Sequence, residues 1–163
     1  MSTTFVLGDI FATPLDGIPA LAHGCNCRGK MGRGIAVAFR EMFPQMYLAY
    51  AALCREQRPS PGEVMAWMEE EDGPIVYNLF TQDHWKDGAT WSAVETSVRS
   101  MVQHMEANDV PMVLLPRVGA GLGRLSWSEV RHLLKILGDE TDRRLVVVET
   151  YRQHIPVTLP LWE

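Results

Sequence analysis

The chain has 163 residues, a formal net charge of -5 and 47% hydrophobic residues, which predicts a single globular domain with a full core. No apolar run approaches the roughly 20 residues that span a bilayer, and no secretory signal opens the chain, so we expect a cytoplasmic protein without membrane contact. The acidic charge argues against a broad surface for nucleic acid.

The cysteines point to a reducing environment. Cys25, Cys27 and Cys54 are odd in number, and the first two are crowded into a glycine turn with no second Cys/His pair nearby. This pattern predicts reduced thiols and no metal site.

The first predicted strand covers Phe5 to Leu7 and ends in the turn Gly8-Asp9-Ile10. A carboxylate at a strand's end can accept a hydrogen bond from a ligand amine. An aspartate after glycine is also a common turn or cap residue, and the residues leave both interpretations of Asp9 open.

Residues 23–40 leave an apolar strand, turn through three glycines and enter a helix. Glycines here leave backbone N–H groups free, and a helix N-terminus adds partial positive charge, so the stretch suits a phosphate or pyrophosphate. The order Gly29-Lys30-Met31-Gly32-Arg33-Gly34 matches neither the P-loop nor the Rossmann fingerprint, and a simple tight turn is the alternative.

Two helices and a hairpin follow. The spacing predicts a helix over 34–42 and a second one starting at Pro44, since proline favours the first helical turn. Strands over 64–68 and 75–80 flank an acidic turn and form an antiparallel hairpin. Residues 81–88 then form a loop in which His84 either lines a site or only bonds the backbone.

The second half begins with a helix over 90–108. Its apolar stripe is expected to be core: Trp91, Val94, Val98, Met101, Val102 and Met105. Met112 to Leu115 is fully apolar, which predicts a central strand covered on both faces.

A second glycine-rich loop, residues 117–125, follows this strand. Ser126 and Glu129 have the spacing of a capping box for a helix that runs to Gly138. The last strand covers 144–149, and Tyr151 follows it.

Strands alternate with helices, so we predict an α/β fold with three layers and a mixed, mostly parallel central sheet. The single domain spans 1–163, with a core to about 155 and a C-terminal tail over 156–163. Ligands in such sheets bind beyond the carboxyl ends of the strands, where both glycine loops fall. Two facing loops of amides would suit a diphosphate between two sugar-like groups.

These residues resemble the macrodomain family, whose members bind ADP-ribose. The resemblance rests on Gly8-Asp9-Ile10, on Asn26 with residues 31–36, and on the stretch from Pro116 to Gly123. The Met-Gly-x-Gly-Ile-Ala form is similar to the subgroup of terminal ADP-ribose glycohydrolases and antitoxins that remove ADP-ribose from DNA.

The resemblance implies a role for each matching position. Asp9, with the Ile10 amide, would hold the adenine, Tyr151 would lie along the adenine or proximal ribose, and Asn26 would face the distal ribose. The diphosphate would be lined by Met31, Gly32, Arg33, Gly34 and Ile35 on one side and by Gly119, Ala120, Gly121, Leu122 and Gly123 on the other.

Two positions depart from the subgroup. Gln82 replaces its lysine, and Gly123 stands where some members have an aspartate. Because glutamine cannot form a Schiff base, we expect any hydrolysis to use a water held near Asn26 and assisted by His84 or Lys30.

Three functions stay open: hydrolysis of ADP-ribose from protein or nucleic acid, phosphatase action on ADP-ribose 1″-phosphate or a related metabolite, and non-catalytic reading of ADP-ribose. We expect a monomer that uses no cofactor.

Overall fold

The computed structural model describes residues 3–160. Its strands are β1 (Thr3–Asp9), β2 (Ala20–Asn26), β3 (Val64–Met68), β4 (Ile75–Gln82), β5 (Met112–Leu115) and β6 (Arg144–Pro156). Its α-helices are α1 (Ile35–Met42), α2 (Pro44–Gln57), α3 (Trp91–Ala107) and α4 (Trp127–Asp139), and a short 3-10 helix covers Ile10–Ala12. No helix in this range is long and apolar enough to cross a membrane.

The six strands form one sheet in the order β1-β6-β5-β2-β4-β3. Only the β3–β4 hairpin is antiparallel, and the other neighbouring pairs are parallel. The predicted mixed, mostly parallel α/β fold is therefore confirmed. Since β2 and β5 are neighbours, the glycine loops that follow them leave the same edge of the sheet side by side.

A hydrophobic core fills each face of the sheet. One core joins the sheet to α1 and α2, with Phe39, Met46 and Tyr50 buried. The other joins it to α3 and α4, with Met101 and Leu134 buried. All four residues of β5 are buried, as expected for a strand covered on both faces.

One polar pair lies within the first core. His23 is fully buried, its ring stacks on Phe39 with centroids 3.9 Å apart, and its Nε2 lies 2.7 Å from Asn78 Oδ1. Burial lowers the pKa of His23 to about 4, so this imidazole is neutral at pH 7.

The helix predictions need two corrections. Trp91 is 39% exposed in the first turn of α3, so the buried stripe begins one turn later, at Val94. The capping box does not form, because Ser126 Oγ lies 3.1 Å from Ser128 Oγ and caps no amide of α4.

Three strands run further than predicted. β1 begins at Thr3 and continues through the predicted turn to Asp9. β4 continues to Gln82, and β6 continues through Tyr151, which pairs with Gly8. The chain beyond β6 also packs onto the domain, since Val157 is buried and its amide donates to Thr13 Oγ1 at 2.9 Å. Residues 161–163 of the predicted tail lie outside the described residues.

Candidate functional site

The first glycine loop is held in shape by Asn26 at the end of β2. Asn26 Nδ2 donates to the Lys30 carbonyl at 2.8 Å, and its Oδ1 accepts from the amides of Arg28 and Lys30 at 2.9 and 3.3 Å. The hydroxyl of Tyr50 donates to the carbonyl of Asn26 at 2.7 Å and lies 3.0 Å from its Oδ1. Asn26 is only 5% exposed, and its side chain is thus hydrogen-bonded within the protein.

This arrangement makes Asn26 a positioning residue for the loop. Burial raises the pKa of Tyr50 far above its usual value, so its hydroxyl stays protonated as a donor to Asn26. The expected contact of Asn26 with a distal ribose stays a prediction, with one Nδ2 hydrogen left to make it.

The exposed part of the same loop offers free donors. Within residues 3–160, the amides of Gly32, Arg33, Gly34 and Ile35 donate to no acceptor. Met31 differs from its neighbours because its side chain is buried in the core, so it can line a site only through its backbone. α1 starts at Ile35, which adds the partial positive charge of a helix N-terminus.

The second glycine loop turns tightly between β5 and α4. The Gly119 carbonyl accepts from Leu125, and Gly119 itself has a φ of +77° and would place a Cβ 2.7 Å from Val94. The amides of Gly121, Leu122 and Gly123 donate to no acceptor among the described residues. The turn therefore presents a second set of free donors.

The two loops touch at their tips. A Cβ on Gly34 would lie 2.9 Å from Leu122 Cδ1, whereas a Cβ on Gly32 or Gly121 would meet nothing within 4 Å. Leu122 is exposed and its side chain can move, so it is the φ of +61° at Gly34 that favours glycine there. Gly32 and Gly121 face open space beside this contact.

Asp9 lies at the far end of the same sheet edge. Its Oδ1 accepts from Phe11 N at 3.0 Å and its Oδ2 from His154 N at 3.1 Å. The carboxylate thus caps a turn and ties β1 to β6, while each oxygen retains acceptor capacity. Tyr151 is 63% exposed and pairs with the residue before Asp9, while the side chain of Ile10 is buried, which leaves its backbone to meet a ligand.

The chain after β4 lies against the first loop. Cys27 N donates to the Asp83 carbonyl at 2.9 Å, and Arg28 forms a two-bond ion pair with the Asp83 carboxylate, at 3.2 and 2.9 Å. The hydrogen bond from Arg28 lowers the pKa of Asp83. Burial raises the pKa of the Cys27 thiol to about 12, so the thiol beside this contact is not a nucleophile near neutral pH.

His84 is placed next to this contact. Its ring stacks on Trp85 with centroids 3.8 Å apart, and its Nδ1 accepts from the Lys86 amide at 3.1 Å. Nδ1 is therefore an acceptor and Nε2 is the nitrogen left for a ligand. Lys30 is exposed in the neighbouring loop, where only its backbone is fixed by Asn26.

The structure shows the surroundings of the two positions that depart from the subgroup. A Cβ on Gly123 would lie 2.6 Å from the Gly119 carbonyl oxygen and 2.9 Å from Ala89 Cβ, so no side chain fits there. Gln82 Oε1 is buried and has no hydrogen-bond partner among the described residues. The site thus has neither a lysine nor a carboxylate at these positions.

Two supporting residues escaped the sequence analysis. Tyr50 braces Asn26, and Asp83 joins the loop after β4 to the first glycine loop. Tyr47 and Tyr50 lie one helical turn apart, and the hydroxyl of Tyr47 donates to the Gly29 carbonyl at 3.4 Å. The one-turn spacing of Tyr47 and Tyr50 is visible in the sequence and could have indicated that α2 supports the first glycine loop.

The chain is similar to known proteins of one family. The family model for the Macro domain matches residues 22–134, more than half of the chain. The ADP-ribose glycohydrolase OARD1 of Homo sapiens is 33% identical over 144 residues, which cover 88% of this chain and 89% of that protein.

A curated relative and a solved structure from Thermus aquaticus are also similar. Its DNA ADP-ribosyl glycohydrolase is 29% identical over 136 residues, and this chain spans only 36% of that relative's length. The macrodomain of its DarG has a TM-score of 0.81 and 27% identity, with 90% of this chain and 97% of that chain covered. The chain therefore belongs to the macrodomain family and is similar to its ADP-ribose glycohydrolase subgroup.

Proposed function

We propose that this protein binds ADP-ribose between the two glycine loops. The observation that carries the proposal is the pair of loops that touch at Gly34 and Leu122 and present free amides on both sides. Backbone amides hold a diphosphate without side-chain charge, which suits a protein with a net charge of -5.

Residues at the two ends of the cleft would orient the adenine and the distal ribose. Asp9 would accept from the adenine amine, and exposed Tyr151 would cover the adenine or the proximal ribose. The distal ribose would then lie near Asn26, Lys30 and His84, where the loop after β4 meets the first glycine loop.

We further propose that the protein hydrolyses ADP-ribose from a modified macromolecule. The supporting observation is its similarity to proteins named glycohydrolases. Because position 82 is a glutamine and position 123 has no room for a side chain, the chemistry would use a water. Because His84 Nδ1 accepts from the Lys86 amide, Nε2 carries the ring proton and would donate it to the leaving group, while the attacking water would lose its proton to solvent. Lys30 would steady the negative charge that develops on the leaving group.

The reaction needs only water, so we propose no cofactor. Three free buried thiols support a reducing, cytoplasmic location. We propose that the protein acts as a monomer, which sedimentation would test.

Calorimetry with ADP-ribose and with AMP tests the binding step. We expect ADP-ribose to bind much more tightly, since AMP lacks the diphosphate that the loops would hold. Absence of heat with ADP-ribose would end the proposal.

A substrate panel tests the chemistry. ADP-ribosylated protein, ADP-ribosylated DNA and ADP-ribose 1″-phosphate are each incubated with the protein and scored for free ADP-ribose. Release from a modified macromolecule supports the hydrolase. Release of ADP-ribose only from ADP-ribose 1″-phosphate identifies a phosphatase. A protein that binds ADP-ribose but releases it from none of the three substrates is a reader.

A further inference from the structure

The loop after β4, residues 83–89, is attached to both glycine loops. Its first residue, Asp83, is hydrogen-bonded to the first glycine loop through its carbonyl and its carboxylate. Its last residue, Ala89, donates its amide to the Gly123 carbonyl of the second loop at 2.9 Å. His84 lies between these two attachments, so the place of its imidazole depends on what holds the middle of the loop.

Arg124, directly after Gly123, adds an attachment near the middle of the loop. Its guanidinium donates to the Lys86 carbonyl. The same guanidinium lies over Gly88, where an added Cβ would come 3.3 Å from Arg124 Nε and 3.5 Å from Nη2. Gly88 has a φ of +80°, which favours glycine and leaves room for this approach. Within residues 3–160, Arg124 has no carboxylate partner, so its charged group is directed at the loop.

The backbone of Arg124 indicates that its side chain has a function. Its φ is +69°, in the left-handed region where the usual residue is glycine because a Cβ is disfavoured there. The side chain is exposed, so core packing does not explain an arginine at this position. A strained conformation of this kind is commonly found where a side chain has a task that glycine cannot perform.

Lys86 connects the guanidinium of Arg124 to the imidazole of His84. The Lys86 carbonyl accepts from Arg124, and the Lys86 amide donates to His84 Nδ1 at 3.1 Å. Because Nδ1 accepts this bond, the ring proton is on Nε2. The stack on Trp85 restrains the plane of the ring but does not select the nitrogen that carries the proton. The position of Lys86 therefore decides both the orientation and the tautomer of His84.

We propose that Arg124 is a positioning residue that holds Lys86 and thereby keeps His84 in its Nε2–H tautomer, aimed at the cleft. The inference rests on the proposed function, since it names the residue that places the imidazole of that same site. Arg124 acts through Lys86 and does not touch ADP-ribose. A guanidinium that bound the diphosphate would have a different signature, because its loss would weaken ADP-ribose binding.

The test replaces Arg124 by glycine, which removes the guanidinium and the backbone strain together. Arg58→Gly is the matched control, because Arg58 is also an exposed arginine with a positive φ, +50°, and its side chain forms no hydrogen bond or ion pair within residues 3–160. Arg124→Lys keeps a cationic donor. NMR measures the exchange rate of the Lys86 amide and the nitrogen chemical shifts of the His84 ring. Calorimetry gives the affinity for ADP-ribose, and thermal unfolding gives the stability.

In Arg124→Gly we expect the Lys86 amide to exchange roughly tenfold faster, since the loop opens locally. The ring shifts of His84 should approach those of free histidine, in which the tautomers mix. Release of ADP-ribose should fall roughly tenfold to a hundredfold, as for a misplaced reacting group, at unchanged affinity for ADP-ribose. The melting temperature should stay the same or rise, because glycine relieves the left-handed conformation.

The other two variants bracket this result. Arg124→Lys should lie between the wild type and Arg124→Gly in exchange rate and turnover. Arg58→Gly should match the wild type in exchange rate, ring shifts and turnover.

Three results for Arg124→Gly would each overturn the inference. An unchanged Lys86 exchange rate with unchanged ring shifts would show that the guanidinium does not hold the loop. A weaker affinity for ADP-ribose would make Arg124 a ligand of the diphosphate, and a melting temperature several degrees lower would make it a residue that stabilises the fold. An equal loss of turnover in Arg58→Gly would overturn it as well.

Failure of the proposed function gives a different result. Wild-type protein that releases ADP-ribose from none of the three substrates overturns the proposed hydrolysis. The exchange rate and the ring shifts still test the placement of His84 in that case, because neither measurement requires turnover.

Discussion

Replacing Gly121 by glutamate should abolish most ADP-ribose binding while leaving the fold intact. A Cβ on Gly121 meets nothing within 4 Å, and the residue does not need a positive φ. The side chain therefore enters open space beside the loop contact at Leu122. In the proposed complex that space holds the diphosphate.

The size of the effect follows from the charge. Two unit charges about 4 Å apart repel by about 1 kcal/mol in water and about 4 kcal/mol at an effective dielectric of about 20. Since about 1.4 kcal/mol is a factor of ten, we expect affinity to fall by roughly fivefold to a thousandfold. Gly121→Gln separates size from charge, and Gly121→Ala tests the added Cβ alone.

Calorimetry gives the affinity of each variant, and thermal unfolding gives its stability. We expect the order wild type, alanine, glutamine, glutamate, with melting temperatures nearly equal. Unchanged affinity in Gly121→Glu would show that the second loop does not hold the diphosphate. A loss that is equally large in glutamine would refute the electrostatic part of the reasoning.

Gly123→Asp should lower the melting temperature by several degrees without creating activity. Its Cβ would lie 2.6 Å from the Gly119 carbonyl oxygen and 2.9 Å from Ala89, and overpacking of this kind costs about 1–3 kcal/mol. An unchanged melting temperature would contradict this expectation. If turnover occurs, His84→Ala should reduce it roughly 10²–10⁴-fold at unchanged ADP-ribose affinity, and full turnover would remove this imidazole from the mechanism. Acidification should also destabilise the protein through His23, because burial lowers its folded pKa to about 4 from the usual 6.5. The unfolded state therefore binds the proton first, and stability falls as pH drops from 6.5 to 4. Urea unfolding should show roughly 2 kcal/mol less stability at pH 5 than at pH 7 from this group, a difference that must shrink in His23→Gln if burial is its cause.

The sequence by itself determined the parts of the molecule that depend on local pattern. Helical spacing, Pro44 at a helix start and the apolar run at 112–115 each predicted elements that the structure contains. The glycines at 32, 34 and 121 marked both loops, because the backbone freedom of glycine is visible in the residue itself. The order of strands and loops then placed both loops at one edge of the sheet.

Only the tertiary structure decided what the side chains at that edge do. Tyr50, 24 residues away on a different element, holds Asn26 in place, and Gly123 has no room because Ala89 lies against it. A cavity with basic walls likewise lies between the first loop and the end of α2, where Arg55 and Arg58 line it. These are contacts between residues distant in sequence, and local periodicity carries no information about which distant groups will meet.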